Sequence, residues 1–256
     1  MPTTLVQITD VHLVPEGELL PNGLDPAPPF AAALDAVAAA GADVAALLLT
    51  GDLADGGDPA SYARLRRMLE PVDVPVLCAA GNHDDRAALR EHLLGEPPSA
   101  APLDHVARIG DLRVVVLDST VPGEAGGELT PDQLAWLAAA LAVPAPGGTV
   151  LALHHPPLPT PSRLLQGIGL RDPAALGAAI AASDVRVVLC GHTHVASAGT
   201  LAGVPVWVGG PTSSTWYGLT PGGRESVVRA PAVSRVDLWA EGLLASTVPV
   251  GAPALR

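Results

Sequence analysis

The sequence is poor in positive charge, cysteine, aromatic rings and long apolar runs, and each shortage narrows what the chain can do. Lysine and arginine number 14 against 26 aspartates and glutamates, a formal net charge of −12. No stretch gathers basic residues into a patch, and binding a phosphate backbone needs clustered Lys and Arg. Nucleic acid is therefore not expected as a general partner, and a small anionic ligand would need local positive charge, which bound cations supply. There are two cysteines, Cys78 and Cys190, each at the end of an apolar run. They read as small buried hydrophobes in a reducing compartment rather than a disulfide. No apolar run approaches the length needed to cross a bilayer. The start, Met1-Pro2-Thr3-Thr4, has neither the basic nor the apolar stretch of a signal peptide. The expectation is a cytoplasmic protein without membrane contact. Aromatic residues make up 3% of the chain, which singles out Trp207, Trp216 and Tyr217 near its end. Trp207 lies inside a strand-like run and reads as core. Trp216 and Tyr217 fall in an irregular stretch and fit either a subunit contact or a platform for a nucleobase.

What is present reads as one α/β domain over residues 1–256. Hydrophobic residues reach 48%, enough for a sizeable core, although much of it is alanine. Glycine and proline gather in connections at 97–102, 144–148, 156–161 and 221–223, none long enough for an interdomain linker. Short apolar runs at 5–9, 44–50, 74–80, 150–153 and 185–190 predict buried strands. Helical patterns alternate with them at 30–40, 59–69, 84–94, 131–141 and 173–182, with Asp58, Thr130 and Asp172 placed as N-caps before proline. Hairpins are expected around Gly110-Asp111, Ala202-Gly203 and Ala240-Glu241-Gly242. Alternating βα units followed by hairpins predict two mixed sheets packed together, with helices on the outer faces. The stretches 156–170 and 209–230 lack periodicity and are expected to form a substrate rim.

Six of the eight histidines lie in five short blocks, each directly after a predicted strand. The blocks are Asp10-Val11-His12, Gly51-Asp52, Gly81-Asn82-His83-Asp84, His154-His155-Pro156 and Gly191-His192-Thr193-His194. Residues two apart on extended chain point to the same side, so Asp10 with His12, and His192 with His194, can each face one ion. Asn82 can offer a neutral oxygen to a cation, and the neighbouring His83 can hand a proton to a departing oxygen. Each block has an ordinary reading too: Asp52 as a turn residue, Asn82 as the start of an Asx-turn, His154 and His155 as loop histidines, Asp55 and Asp58 as helix caps. Ligand types at five strand ends would nevertheless meet at one edge of a sheet, where α/β folds build their sites.

In this order the blocks resemble the calcineurin-like metallophosphoesterases, whose signature runs D-x-H, G-D, G-N-H-[DE], a histidine before x-P, and G-H-x-H. The likeness covers about residues 5–208. Longer strings, among them Gly51-Asp52-Leu53-Ala54-Asp55 and Val116-Leu117-Asp118-Ser119-Thr120-Val121-Pro122-Gly123, are similar to the bacterial class III cyclic-nucleotide phosphodiesterases, particularly the actinobacterial type. The resemblance implies a four-layer αββα sandwich and two divalent ions per chain, Mn with Fe first and Zn or Co as alternatives. It implies Asp10, His12 and His194 on one ion, Asn82, His154 and His192 on the other, and Asp52 between them. His83 would be the proton donor. The implied reaction is hydrolysis of a phosphodiester such as 3′,5′-cyclic AMP by a hydroxide held between the ions, in a homodimer. A phosphomonoesterase, nucleotidase or glycerophosphodiesterase would use the same ligands, and a non-catalytic scaffold would lose some of them. His155, His92 and His105 fall outside the ligand pattern, and Asp118 is expected to serve a turn. One departure stands in residues 122–129, Pro-Gly-Glu-Ala-Gly-Gly-Glu-Leu, where some relatives place a histidine near the substrate.

Overall fold

A computed structural model describes residues 1–160, 162–217 and 225–251, with the Tyr217 side chain outside the description. The expected role of Tyr217 therefore lies outside the described residues. Its strands are β1 (Thr3–Ile8), β2 (Ala46–Thr50), β3 (Val76–Ala79), β4 (His105–Ile109), β5 (Leu112–Val116) and β6 (Thr149–Ala152). They continue as β7 (Val185–Cys190), β8 (Ser197–Leu201), β9 (Val204–Val208), β10 (Thr215–Tyr217), β11 (Ser226–Val228), β12 (Ala232–Trp239) and β13 (Gly242–Pro249). The helices are α1 (Ala27–Ala40), α2 (Pro59–Leu69), α3 (Arg86–Ala88), α4 (Pro131–Leu141) and α5 (Pro173–Ile180).

Two mixed sheets result, ordered β13-β12-β1-β2-β3 and β4-β5-β6-β7-β9-β8. In the first, β1, β2 and β3 run parallel. In the second, β5, β6, β7 and β9 run parallel. Alternation along the strands sorts side chains into three apolar layers. Leu47 and Leu49 face Phe30 of α1 and Tyr62 and Leu65 of α2. Leu5, Leu48 and Val236 meet Val114, Val150 and Val187 between the sheets. Val115, Leu151 and Val188 meet Leu137 of α4 and Leu176 and Ile180 of α5. The order is helices, sheet, sheet, helices, as expected. Strands covered on both faces read as unbroken apolar runs, and each fully buried Leu, Ile or Val contributes about 1.5–3 kcal/mol.

The caps act where the sequence places them. Asp58 accepts from Ser61 N–H at 2.9 Å, Thr130 and Gln133 form a reciprocal capping box, and Asp172 accepts from Ala175 N–H at 3.1 Å. α1 begins earlier than its alanine run suggests, because Pro28 and Pro29 suit a first turn and Asp25 accepts from Ala27 N–H at 3.0 Å. The helix expected over 84–94 starts late and changes winding. Asp85 accepts from Ala88 N–H at 2.8 Å, α3 makes one turn, and Leu89–Leu94 continues with π winding. Asp84 is drawn inward instead.

The stretch 209–230 is not wholly irregular, since β10 and β11 pair as a ribbon with Trp216 opposite Val227. Three residues per strand are too few to show alternation. Trp207 donates from Nε1 to Ser234 Oγ at 2.8 Å, linking the two sheets, which is the core role expected of it. Asp118 accepts from Thr120 N–H as a turn residue and also forms a buried ion pair with Arg86 Nε at 2.7 Å. Both cysteines are free and buried, and burial pushes the Cys78 thiol up to about 12. No helix among the described residues is long and apolar enough to cross a membrane.

Candidate metal centre

Because β1, β2 and β3 are parallel in one sheet and β6 and β7 in the other, all five blocks emerge at the carboxyl ends of their strands. Asp10, His12, Asp52, His154 and His192 are buried, His194 is nearly so, Asn82 is half-buried and His83 is exposed. Asp10, His12, Asp52 and His194 bring ligand atoms within 4.8 Å of one another. His12 Nε2 lies 3.1 Å from His194 Nε2 and 3.5 Å from Asp52 Oδ2. Asp10 Oδ1 lies 3.4 Å from His194 Nε2. On the other side His154 Nε2 stands 3.3 Å from the same Asp52 Oδ2, and the His154 and His192 rings are 5.1 Å apart. Asp52 thus stands between two groups of donors.

The backbone bends sharply to do this. Asp10, His12, Asp52, His192 and His194 all have φ between 49° and 74°, and among the described residues the only other non-glycine with positive φ is Ala202. Left-handed backbone costs such residues on the order of 1 kcal/mol or more each and gathers at sites that need a particular geometry. Glycines let the blocks close on one another. A Cβ on Gly51 would lie 2.4 Å from His154 Nδ1, one on Gly81 2.2 Å from Asp52 Oδ1, and one on Gly191 2.0 Å from Thr9 Oγ1.

The imidazoles are oriented from behind. His154 Nδ1 donates to the Thr50 carbonyl at 2.8 Å, and His194 Nδ1 to the Ser214 carbonyl at 2.6 Å. His12 Nδ1 donates to Asp55 Oδ1 at 2.9 Å, and His83 Nδ1 to the Asp55 carbonyl at 2.7 Å. Each bond fixes the tautomer and leaves Nε2 as the free nitrogen, the usual device for a metal-binding histidine. Asp55 is therefore no helix cap, as its sequence position suggested, but the partner of His12. Asp84, which the sequence suggests as a helix start, instead accepts from the N–H groups of Leu53, Ala54 and Gly81 and from Tyr62 Oη. It ties the block after β2 to the block after β3. Its pKa is pushed up to about 6 by burial and by Asp52, against those hydrogen bonds.

The donor set fits cations. His154 Nε2, His192 Nε2 and Asn82 Oδ1 are buried without a hydrogen-bond partner, and unsatisfied buried polar atoms are costly. Two imidazole nitrogens 3.1 Å apart, each with its other nitrogen tied to an acceptor, repel unless a proton or a metal lies between them. Without metal, burial lowers the basicity of His154, but the Asp52 and Asp10 carboxylates outweigh it and raise its pKa to about 9. His192 falls to about 4 through burial and the charge of His154. His155 lies close enough to His154 and His192 to form a second cluster with them. Both its nitrogens are used, however, Nδ1 by Ser119 Oγ at 2.9 Å and Nε2 by the Ala125 carbonyl at 3.2 Å. It supports the site without a lone pair to give. His105 Nδ1 donates to the Leu103 carbonyl and His92 lies beside Glu91, both outside these clusters.

Known proteins are similar to this chain in sequence and in fold. A probable cyclic nucleotide phosphodiesterase of Rhodococcus erythropolis is 43% identical over 256 residues, covering 97% of this chain and 84% of that protein. The cAMP/cGMP dual specificity phosphodiesterase of Mycobacterium tuberculosis is 40% identical, covering 96% and 79%. Among solved structures, the purple acid phosphatase PPD1 of yellow lupin shares the fold with a TM-score of 0.64 at 13% identity, over 97% of this chain and 52% of that one. This chain thus spans about half the length of the lupin protein. The family model for the calcineurin-like phosphoesterases matches residues 3–196, and the chain belongs to that family.

Proposed function

We propose that this protein is a metal-dependent phosphodiesterase that hydrolyses small anionic diesters, 3′,5′-cyclic AMP among them. The observation that carries the reading is the pair of donor groups meeting at Asp52 Oδ2, which stands 3.5 Å from His12 Nε2 and 3.3 Å from His154 Nε2. In this reading Asp10, His12 and His194 hold one ion, Asn82, His154 and His192 the other, and Asp52 serves both. The mixed nitrogen and oxygen donors suit Mn, Fe, Zn or Co, with Mn and Fe as the working pair. Two such ions would supply an activated water and charge that stabilises both the attacking and leaving oxygens. With only two carboxylates among the ligands, Asp10 and Asp52, a centre holding two divalent ions would be net positive, which suits an anionic ester on an otherwise acidic protein.

The chain's own residues supply the proton. His83 Nδ1 is committed to the Asp55 carbonyl, so a proton at Nε2 makes the ring an imidazolium able to protonate a departing oxygen. His83 is exposed, so a substrate can reach it. Cys78 and Cys190 are buried, which pushes both thiols up, and no covalent enzyme intermediate is needed. The diesterase reading rests on the named relatives matching nearly the whole chain, since the ligand set alone serves monoesters equally well. A substrate panel tests it. Purified protein with Mn²⁺ should hydrolyse 3′,5′-cyclic AMP and bis(p-nitrophenyl) phosphate and lose both activities to a chelator. Hydrolysis of p-nitrophenyl phosphate alone would replace the reading with a phosphomonoesterase.

A further inference from the structure

Resting on the phosphodiesterase reading, we propose that the cleft beside His83 receives the sugar that carries the departing oxygen, and that Gly56 determines the bulk it accepts. The cleft measures about 220 Å³ and is lined by Asn82 and His83 together with Gly56, Gly57, Arg86 and residues 120–123. It joins the proposed proton donor to a proposed metal-binding oxygen.

The chemistry places the sugar there. Hydrolysis forms a bond from a water oxygen to phosphorus, that water giving up one proton to solvent, and breaks the bond to an ester oxygen. The ester oxygen keeps the electron pair and takes the His83 Nε2 proton; exposed His83 then regains a proton from solvent. In a 3′,5′-cyclic phosphodiester both ester oxygens belong to one sugar. Whichever leaves, it remains on that sugar, so the sugar must stand on the His83 side. A cleft of this size suits a single five- or six-membered ring, with the base at its mouth.

The walls are built for that use. On the near side, Gly56 and Gly57 present backbone only. Gly57 is tight, since a Cβ there would lie 2.8 Å from Asp85 N, whereas a Cβ on Gly56 meets nothing within 4 Å. On the far side the 120–123 turn is pinned by Arg86, which donates to the Thr120 carbonyl at 2.8 Å and pairs with buried Asp118 at 2.7 Å. The cleft is preformed. Gly123 is also open but has φ +81°, which strains any side chain, so Gly56 is the open position that a side chain can fill without backbone strain. A larger cavity of about 610 Å³ lies under 156–173 and reaches Thr193. Three histidines adjoin its lining in sequence: His155 has both nitrogens engaged, and His192 and His194, which flank Thr193, are the proposed metal ligands, so none is left to give a proton to a leaving group.

The test compares Gly56→Leu, Val121→Trp on the opposite wall, and Gln166→Trp in the larger cavity. Metal content and cyclic AMP kinetics are measured on each. Gly56→Leu and Val121→Trp should lower kcat/KM for 3′,5′-cyclic AMP at least tenfold, mainly through KM, with metal content as in the unmodified protein. Gln166→Trp should stay within about twofold. A smaller loss in both cleft variants, or a tenfold loss confined to Gln166→Trp, overturns the proposal. If the unmodified protein itself fails to hydrolyse the cyclic nucleotide, the phosphodiesterase reading has failed rather than the placement of the sugar.

Discussion

Replacing Gly81 with alanine adds one methyl group at the point where the blocks after β2 and β3 meet. The new Cβ would lie 2.2 Å from both the backbone nitrogen and Oδ1 of Asp52, and 2.9 Å from its Cγ. Ordinary contact between such atoms begins near about 3.5 Å, so Asp52 must recede by about 1 Å. Metal–ligand distances tolerate only about 0.2 Å, and the proposed shared carboxylate cannot then reach both donor groups. Gly81 is not among the left-handed glycines, so the effect is steric rather than a backbone penalty. Overpacking of this kind costs about 1–3 kcal/mol, which leaves the fold intact. Elemental analysis should find fewer than two ions per chain in Gly81→Ala, and turnover should fall by on the order of 10²-fold. Gly110→Ala is the comparison: its Cβ meets nothing within 4 Å although φ is +59°, so it should lose about 1 kcal/mol of stability and keep its metal. Gly81→Ala with full metal content and unimpaired turnover would refute the claim that this close approach positions Asp52.

Two further substitutions separate holding the ions from moving the proton. Asp55→Ala removes the acceptor that fixes the His12 tautomer and should weaken metal affinity by about 10–100-fold, measured by competition with a chelator. Asp55→Asn keeps an accepting oxygen and should weaken it less; equal losses would argue against this role. His83→Ala should keep its metal yet lose about 10²–10⁴-fold in turnover on esters with poor leaving groups. The deficit should shrink for p-nitrophenolate, which departs with little protonation, and an equal loss on both would remove His83 as the proton donor.

Much of the architecture was legible because the strands are covered on both faces and read as apolar runs, while Asp58, Thr130 and Asp172 mark helix starts through local chemistry. Ligand types at strand ends were legible for the same reason, and the structure brings Asp10, His12, Asp52, His154, His192 and His194 to one place. What could not be read depends on tertiary contact. Asp55 and Asp58 look alike as caps, yet Asp58 caps α2 while Asp55 meets His12 across the fold. Asp84 is pulled from the helix start it suggests by three N–H groups and Tyr62. Gly51, Gly81 and Gly191 look like turn residues, but a side chain at any of them would strike another block. Gly81 has no left-handed backbone to signal it. The positive φ at five of the proposed ligands also leaves no trace in residue type, because histidine and aspartate are common in ordinary loops.

The most direct test of the account is the metal content of the purified, metal-replete protein beside Asp52→Ala. The account predicts about two ions per chain in the unmodified protein and loss of the two-ion centre in the variant, because one carboxylate serves both positions. An unmodified protein without stoichiometric metal, or an Asp52→Ala protein that still holds two ions, would contradict it.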